Sequence, residues 1–210
     1  FICDWTFGTM YAIHITPKGA SYTATKEEFV ARTPLPLTDN CVGPDGALYF
    51  TVGGRGTQSE FFRVTYTGTE STAPVSAHDA EGAELRALRQ KLETYHRRVD
   101  NPAEAAQFLI PLLGHSDRFI RYAARIGLEN QPLSAWQDGV LKSTDPEILI
   151  TGVAGLARQS TDAAAQPALL TALAKVDWSK LSVEQQLEAA RAYELVFTRT
   201  GAPTEADREQ

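Results

Sequence analysis

The chain is poor in residues that advertise a chemistry. Cys3 and Cys41 are its only two cysteines in 210 residues. No CxxC, CxxCH or Cys/His cluster accompanies them, which excludes a zinc site or an attached c-type haem of the usual spacing. Both lie in apolar, strand-like runs and read as small buried hydrophobes rather than as a cystine. Lys and Arg number 20 against 26 Asp and Glu, a formal net charge of −6. A surplus of that sign argues against broad contact with nucleic acid or anionic membrane. The short basic run Tyr95-His-Arg-Arg reads as the solvated end of a helix. No apolar stretch approaches the ~18–20 residues needed to cross a bilayer. GxSxG, P-loop, HExxH and complete dinucleotide fingerprints are all missing.

What is present is a near-repetition within the first 66 residues. Phe1-Ile-Cys-Asp-Trp-Thr-Phe-Gly, followed by Met10-Tyr-Ala-Ile-His-Ile, is echoed by Ala47-Leu-Tyr-Phe-Thr-Val-Gly-Gly, followed by Phe61-Phe-Arg-Val-Thr-Tyr. Each half reads as strand, glycine-containing turn, strand. Repeats of roughly 40–50 residues in β-rich sequence point to propeller blades. The first copy lacks an opening strand, so the expected chain begins inside a blade, as the tail of a longer protein. Tyr11, Ile13 and Ile15 alternate with Ala12 and His14, the period of a strand with two distinct faces. Thr23 and Thr25 favour a strand over Ser21–Ala31, against the helical bias of Lys26-Glu-Glu. Pro34-Leu-Pro-Leu-Thr-Asp-Asn-Cys-Val reads as an innermost strand, with its prolines ahead of the pairing. Gly43-Pro-Asp-Gly is a turn by its chemistry, and Gly53-Gly-Arg-Gly-Thr-Gln-Ser is a loop leading to a strand over Phe61–Tyr66.

The composition changes at Thr67. A Ser/Thr-rich stretch over residues 68–79 has almost nothing to bury and reads as a linker. Beyond it Ala and Leu recur with a period near 3.6. Leu85, Leu88 and Leu92 form one stripe, and Pro102 and Pro132 sit near helix starts, where a missing N–H costs nothing. Ser116-Asp-Arg-Phe-Ile-Arg-Tyr-Ala-Ala-Arg-Ile-Gly-Leu aligns with Thr144-Asp-Pro-Glu-Ile-Leu-Ile-Thr-Gly-Val-Ala-Gly-Leu. Asp117 and Asp145 then stand as caps, and Ala124 and Gly152 as small residues that admit a neighbouring helix. Ser182-Val-Glu-Gln opens a last helix with a capping signature, and Gly201-Ala-Pro closes it. The expected fold class is α+β and multidomain. Terminal β-propeller blades occupy 1–67, an α-solenoid of HEAT-like helix pairs occupies 80–200, and 201–210 form a polar tail.

Asp4-Trp-Thr-Phe-Gly-Thr-Met-Tyr-Ala, Lys18-Gly-Ala-Ser-Tyr-Thr-Ala-Thr, Leu37-Thr-Asp and Gly43-Pro-Asp-Gly-Ala-Leu-Tyr-Phe-Thr-Val-Gly-Gly-Arg form a distinctive string. With Thr57-Gln-Ser and Arg63-Val-Thr-Tyr, it resembles the propeller end of large membrane-bound-dehydrogenase-type proteins of planctomycetes. Their propeller is similar to that of quinoprotein glucose/sorbosone dehydrogenases. Residues 80–200 are similar only in repeat style. The resemblance implies an exported, periplasmic or extracellular parent that oxidises a sugar or alcohol. A quinone and calcium would belong to that parent, with no cofactor held inside this stretch. The helical pairs would dock a protein partner or an electron-acceptor domain. The competing reading is a non-catalytic scaffold for protein–protein binding, since a shared fold does not transfer chemistry.

Two residues are ligand-binding candidates. Arg55 lies between glycines, where backbone can approach a ligand and a guanidinium can clamp a carboxylate or quinone oxygen. The same loop can equally turn tightly, with its Arg paired to a neighbouring blade. Asp39 follows Thr38 in the expected innermost strand, where it could hold calcium or satisfy backbone N–H groups between blades. His14 has no sequence neighbour to act as partner and reads as structural, Trp5 as core and Asp4 as a turn residue. His78 and His115 have no metal-ligand company.

Overall fold

The computed structural model describes residues 1–54, 56–73 and 79–208. They form two compact units, Phe1–Glu81 and Gly82–Gln210.

The first unit holds two antiparallel sheets. β1 (Ile2–Asp4), β2 (Thr9–Lys18) and β3 (Ser21–Ala31) form one; β4 (Leu37–Val42), β5 (Leu48–Gly54) and β6 (Thr57–Val64) form the other. β5 shows why these residues make strands: Leu48, Phe50 and Val52 are buried while Tyr49 and Thr51 are only partly so. That period of two puts one face against an apolar core. Met10, Leu35 and Leu37 join the buried β5 residues there, with Cys3, Val30, Phe62 and Val64 packed around them. The β4–β5 turn closes through Gly46 N–H to the Gly43 carbonyl at 2.9 Å. Gly46 sits at φ 77°, where a Cβ would be strained.

This arrangement corrects the expected fold class. Propeller blades followed by an α-solenoid are not what the chain forms; each repeat half makes its own open three-stranded sheet, and neither sheet closes. The repeat is real as strand–turn–strand, but the pattern within a strand cannot say which strands share a sheet. β4 is an edge strand paired only with β5, as an innermost strand would be, but its sheet ends after three strands at β6. Smaller readings change as well. The loop expected over 53–59 is shorter, because β5 and β6 stay paired as far as Gly54 and Thr57. Ile15 and Cys41 are exposed and Trp5 is half-exposed rather than core. Ile15 is open because β1 pairs only as far as Tyr11, beyond which β2 and β3 continue as a two-stranded ribbon.

The second unit is helical. α1 (Ala83–Glu93) packs on α3 (Arg118–Glu129), α3 on α5 (Pro146–Gln159), and α5 on α7 (Val183–Thr200). α2 (Pro102–Leu109) with the 3-10 turn Ile110–Gly114, then α4 (Gln137–Leu141) and α6 (Gln166–Leu173), fill in against these four. A short α8 (Glu205–Arg208) follows. The starts of the long helices are set locally. Asp117 accepts from Phe119 N–H, Asp145 from Ile148 N–H, and Ser182 and Gln185 make a reciprocal capping box. Leu109, Leu113, Ile120, Leu128, Val140 and Val153 are all completely buried. Each such side chain contributes roughly 1.5–3 kcal/mol.

Two positions tie the layers together. A Cβ on Gly152 would meet Val140 Cγ1 at 2.5 Å, so α5 and α4 approach through that missing side chain. Gln131, only 1% exposed, accepts from Val99 N–H and donates to the carbonyls of Tyr95, Arg97 and Gly127. It thereby fastens the α1–α2 connection to the end of α3.

Both ties are testable by chemical denaturation. Gly152→Ala gains about 1 kcal/mol in helix propensity, but overpacks by roughly 1–3 kcal/mol against an immobile Val140. A net loss of stability is expected, and a more stable variant would show that α4 can give way. Gln131→Leu strands buried backbone groups and is expected to cost roughly 2–3 kcal/mol.

Candidate functional site

Arg55 lies outside the described residues, as does His78. Asp39 is exposed on β4, opposite Thr51 of β5, and its Oδ1 accepts from the N–H of Asn40 at 2.8 Å. Calcium takes six to eight oxygens, and among the described residues no three His, Cys, Asp or Glu are grouped to hold a metal ion. Asp4 accepts from the N–H groups of Thr6 and Phe7 and makes the expected turn. His14 does have a partner: hairpin pairing brings Glu27 Oε2 to 2.9 Å, with both side chains well exposed. Cys3 and Cys41 are free thiols, and Asn40 Nδ2 points at Cys3 Sγ from 3.2 Å.

A broad concavity lies in the helical unit. A cleft of about 800 Å³ opens where α3, α5 and α7 begin. Its walls include Arg118 and Arg121 of α3, Pro146 and Glu147 of α5, and Glu184, Gln185 and Glu188 of α7. Gly114, His115 and Ser116 close one side, and Asp177 and Lys180 another. Three helices start at one end of the unit because each follows a short connection ending in a cap: Asp117, Asp145 and Ser182. The caps take up N–H groups within each first turn, those of Phe119 and Ile120, of Ile148 and of Gln185.

Arg121 holds the floor. Its Nη2 donates to both oxygens of Glu188, at 2.9 and 3.2 Å, and its Nη1 to the carbonyls of His115 and Ser116. Its Nε lies 2.8 Å from Glu147 Oε1, an ion pair whose angle is too poor for a hydrogen bond. Gln185 Nε2 supplies the other Glu147 oxygen at 2.7 Å. Arg121 and Glu147 are 14% and 13% exposed, so both charges are largely out of water. One guanidinium thus serves two carboxylates from two different helices.

The electrostatics follow from that ratio. Burial pushes the Glu147 carboxyl above its ordinary 4.5; Gln185 and Arg121 pull it down, and the neighbouring Glu188 carboxylate raises it further. At the rim, the bond from Lys180 and then Ser179 hold Asp177 down at about 2. His115 Nδ1 accepts from Asp117 N–H at 2.9 Å, which leaves that ring nitrogen without a proton. The cluster holds a fixed charged surface across three helix starts.

No single-element pattern points to this site. The notable pair Arg121 and Glu188 are 67 positions apart. Only the caps at Asp117, Asp145 and Ser182 are visible in the sequence, and they mark helix starts without saying that the three starts meet.

The raised Glu147 carboxyl makes a pH prediction. A carboxyl that is more basic when folded contributes stability fully below its unfolded value, near 4.5, and loses it as pH rises through the raised folded value. Glu147→Gln should remove that component. The stability of the Glu147→Gln variant minus that of the wild type should therefore become more positive as pH is raised from 4.5 toward neutrality. A difference that does not vary with pH in urea titrations would refute the assignment.

Among the described residues no helix is long and apolar enough to cross a membrane. Comparisons with protein-family models, with curated proteins and with solved structures find no match for this chain.

Proposed function

We propose that residues 82–210 act as a protein-docking module whose binding site is the cleft at the starts of α3, α5 and α7. The observation that carries this reading is the construction of the cleft. Three helices and two connections contribute to one opening of about 800 Å³, and an internal ion cluster holds its floor rigid. Small-molecule pockets are mostly apolar with a few placed polar groups. Eight of the fifteen residues lining this cleft carry charge, and the accessible rim of a protein interface is polar. The docking role matches the scaffold reading of the sequence. In the longer parent implied by the resemblance of residues 1–67, the docked protein would be the electron acceptor of a sugar- or alcohol-oxidising enzyme.

A peptide-display selection on the intact chain tests the module. Ser116 is exposed at the cleft and makes no described side-chain hydrogen bond, so Ser116→Trp fills the opening without touching the core. Selected peptides should lose roughly tenfold or more in affinity for this variant, while its thermal stability stays within about 0.5 kcal/mol of wild type. Peptides that bind both proteins equally would place binding elsewhere and defeat the proposal.

A further inference from the structure

We infer that the cleft and the adjoining face of α7 receive a basic amphipathic segment of a partner protein, with Lys or Arg side chains in the cleft and apolar ones along α7. This rests on the docking reading above and specifies its partner.

The charge argument starts from the lining. Asp145, Glu147, Asp177, Glu184 and Glu188 supply five carboxylates; Arg118, Arg121 and Lys180 supply three cations. Two of the cations are committed internally. Lys180 Nζ pairs with Asp177 at 2.8 Å, and Arg121 is shared between Glu147 and Glu188. Arg118 is the remaining cation of the lining, and it stacks 5.3 Å from the Phe119 ring. On the other side, Glu184 has no ion-pair or hydrogen-bond partner among the described residues. The surplus is acceptor-rich, and each helix start already spends part of its first turn on its own cap, through the N–H groups of Phe119, Ile148 and Gln185 at 2.8, 3.0 and 3.2 Å. A ligand bringing N–H donors and positive charge completes this surface; one bringing carboxylates meets like charge. The whole chain, at −6, adds attraction in the same direction.

The apolar argument comes from helix geometry. On α7, positions 183, 184, 187 and 188 fall on one sector, since residues three and four apart are neighbours. Val183 and Leu187 are each 68% exposed there, next to Glu184 and Glu188. Trp178, in the turn just before α7, is 47% exposed. Gln186 Nε2 ties the Trp178 carbonyl to α7, which keeps that turn beside the helix. Two exposed aliphatic residues one turn apart, flanked by two carboxylates one turn apart, form a matched double row. An amphipathic helix with Leu on one row and Lys on the next presents the complement.

The test uses three synthetic peptides of equal length against the intact chain: one with Lys and Leu at helical spacing, one with Glu replacing every Lys, and one with Lys alone. Binding is read by fluorescence anisotropy. The Lys/Leu peptide should bind, weaken as salt is raised, and lose roughly tenfold in affinity with Glu184→Gln and again with Leu187→Ser. Both substitutions are at exposed positions, and circular dichroism confirms the fold. Equal binding of the Glu/Leu peptide, equal binding of the Lys-only peptide, or indifference to both substitutions would each overturn the inference. If the Lys/Leu peptide fails while other selected peptides still respond to Ser116→Trp, only the partner chemistry falls. If nothing responds to Ser116→Trp, the docking reading falls with it.

Discussion

One guanidinium shared between two carboxylates is the constraint on which the helical unit's concave end depends. Arg121 sits in α3, Glu147 in α5 and Glu188 in α7, so the shared charge fixes three helix starts relative to one another. Burying such a group is costly, and it is tolerable only when its donors are used. Arg121 meets that condition by also donating to the carbonyls of His115 and Ser116 just ahead of its own helix. The unbalanced second carboxylate is the residue of this arrangement. Burial first, and then this carboxylate, raises Glu147, and the neighbouring surface is left short of cations.

At the other end of the same helices a second ion pair repeats the logic with less tension. Glu129 of α3 accepts from Arg125 one turn earlier and from Arg158 of α5, at 2.9 and 3.1 Å. Here two cations surround one carboxylate, the reverse of the cleft. Between the two ends the contacts are apolar and close-packed, with Gly152 and Gly155 allowing Val140 and Trp136 to approach α5. Trp136 Nε1 is buried without a hydrogen-bond partner among the described residues, a local cost that this packing carries.

The β unit is organised differently. Its shared core is small, drawn from both sheets, and much of the β2–β3 ribbon stands beyond it. Polar side chains rather than packing order the surface there. Asp45 accepts from Tyr49 and Arg63, and the Arg63 bond is the main reason its carboxyl falls to about 2. His14–Glu27 and Lys26 over the Tyr11 ring at 4.5 Å do the same on the ribbon.

Local interactions are legible in the sequence because their partners are three or four residues apart. The caps at Asp117 and Asp145, the capping box at Ser182 and the turn at Gly43-Pro-Asp-Gly all belong to that class. Gly152 is readable as a point of close approach, since a small residue on a buried face has few other uses. Sheet membership is not readable: a period of two tells which residues face inward but not which strand lies alongside, so two open sheets read as blades. His14 looks partnerless in sequence for the same reason, because Glu27 reaches it only through the hairpin register. The cleft is invisible altogether. Charged residues on α3, α5 and α7 look like solvated faces one helix at a time. Only their tertiary convergence turns three ordinary surface residues into one buried, over-acidic cluster, because electrostatic coupling depends on separation in space and not along the chain.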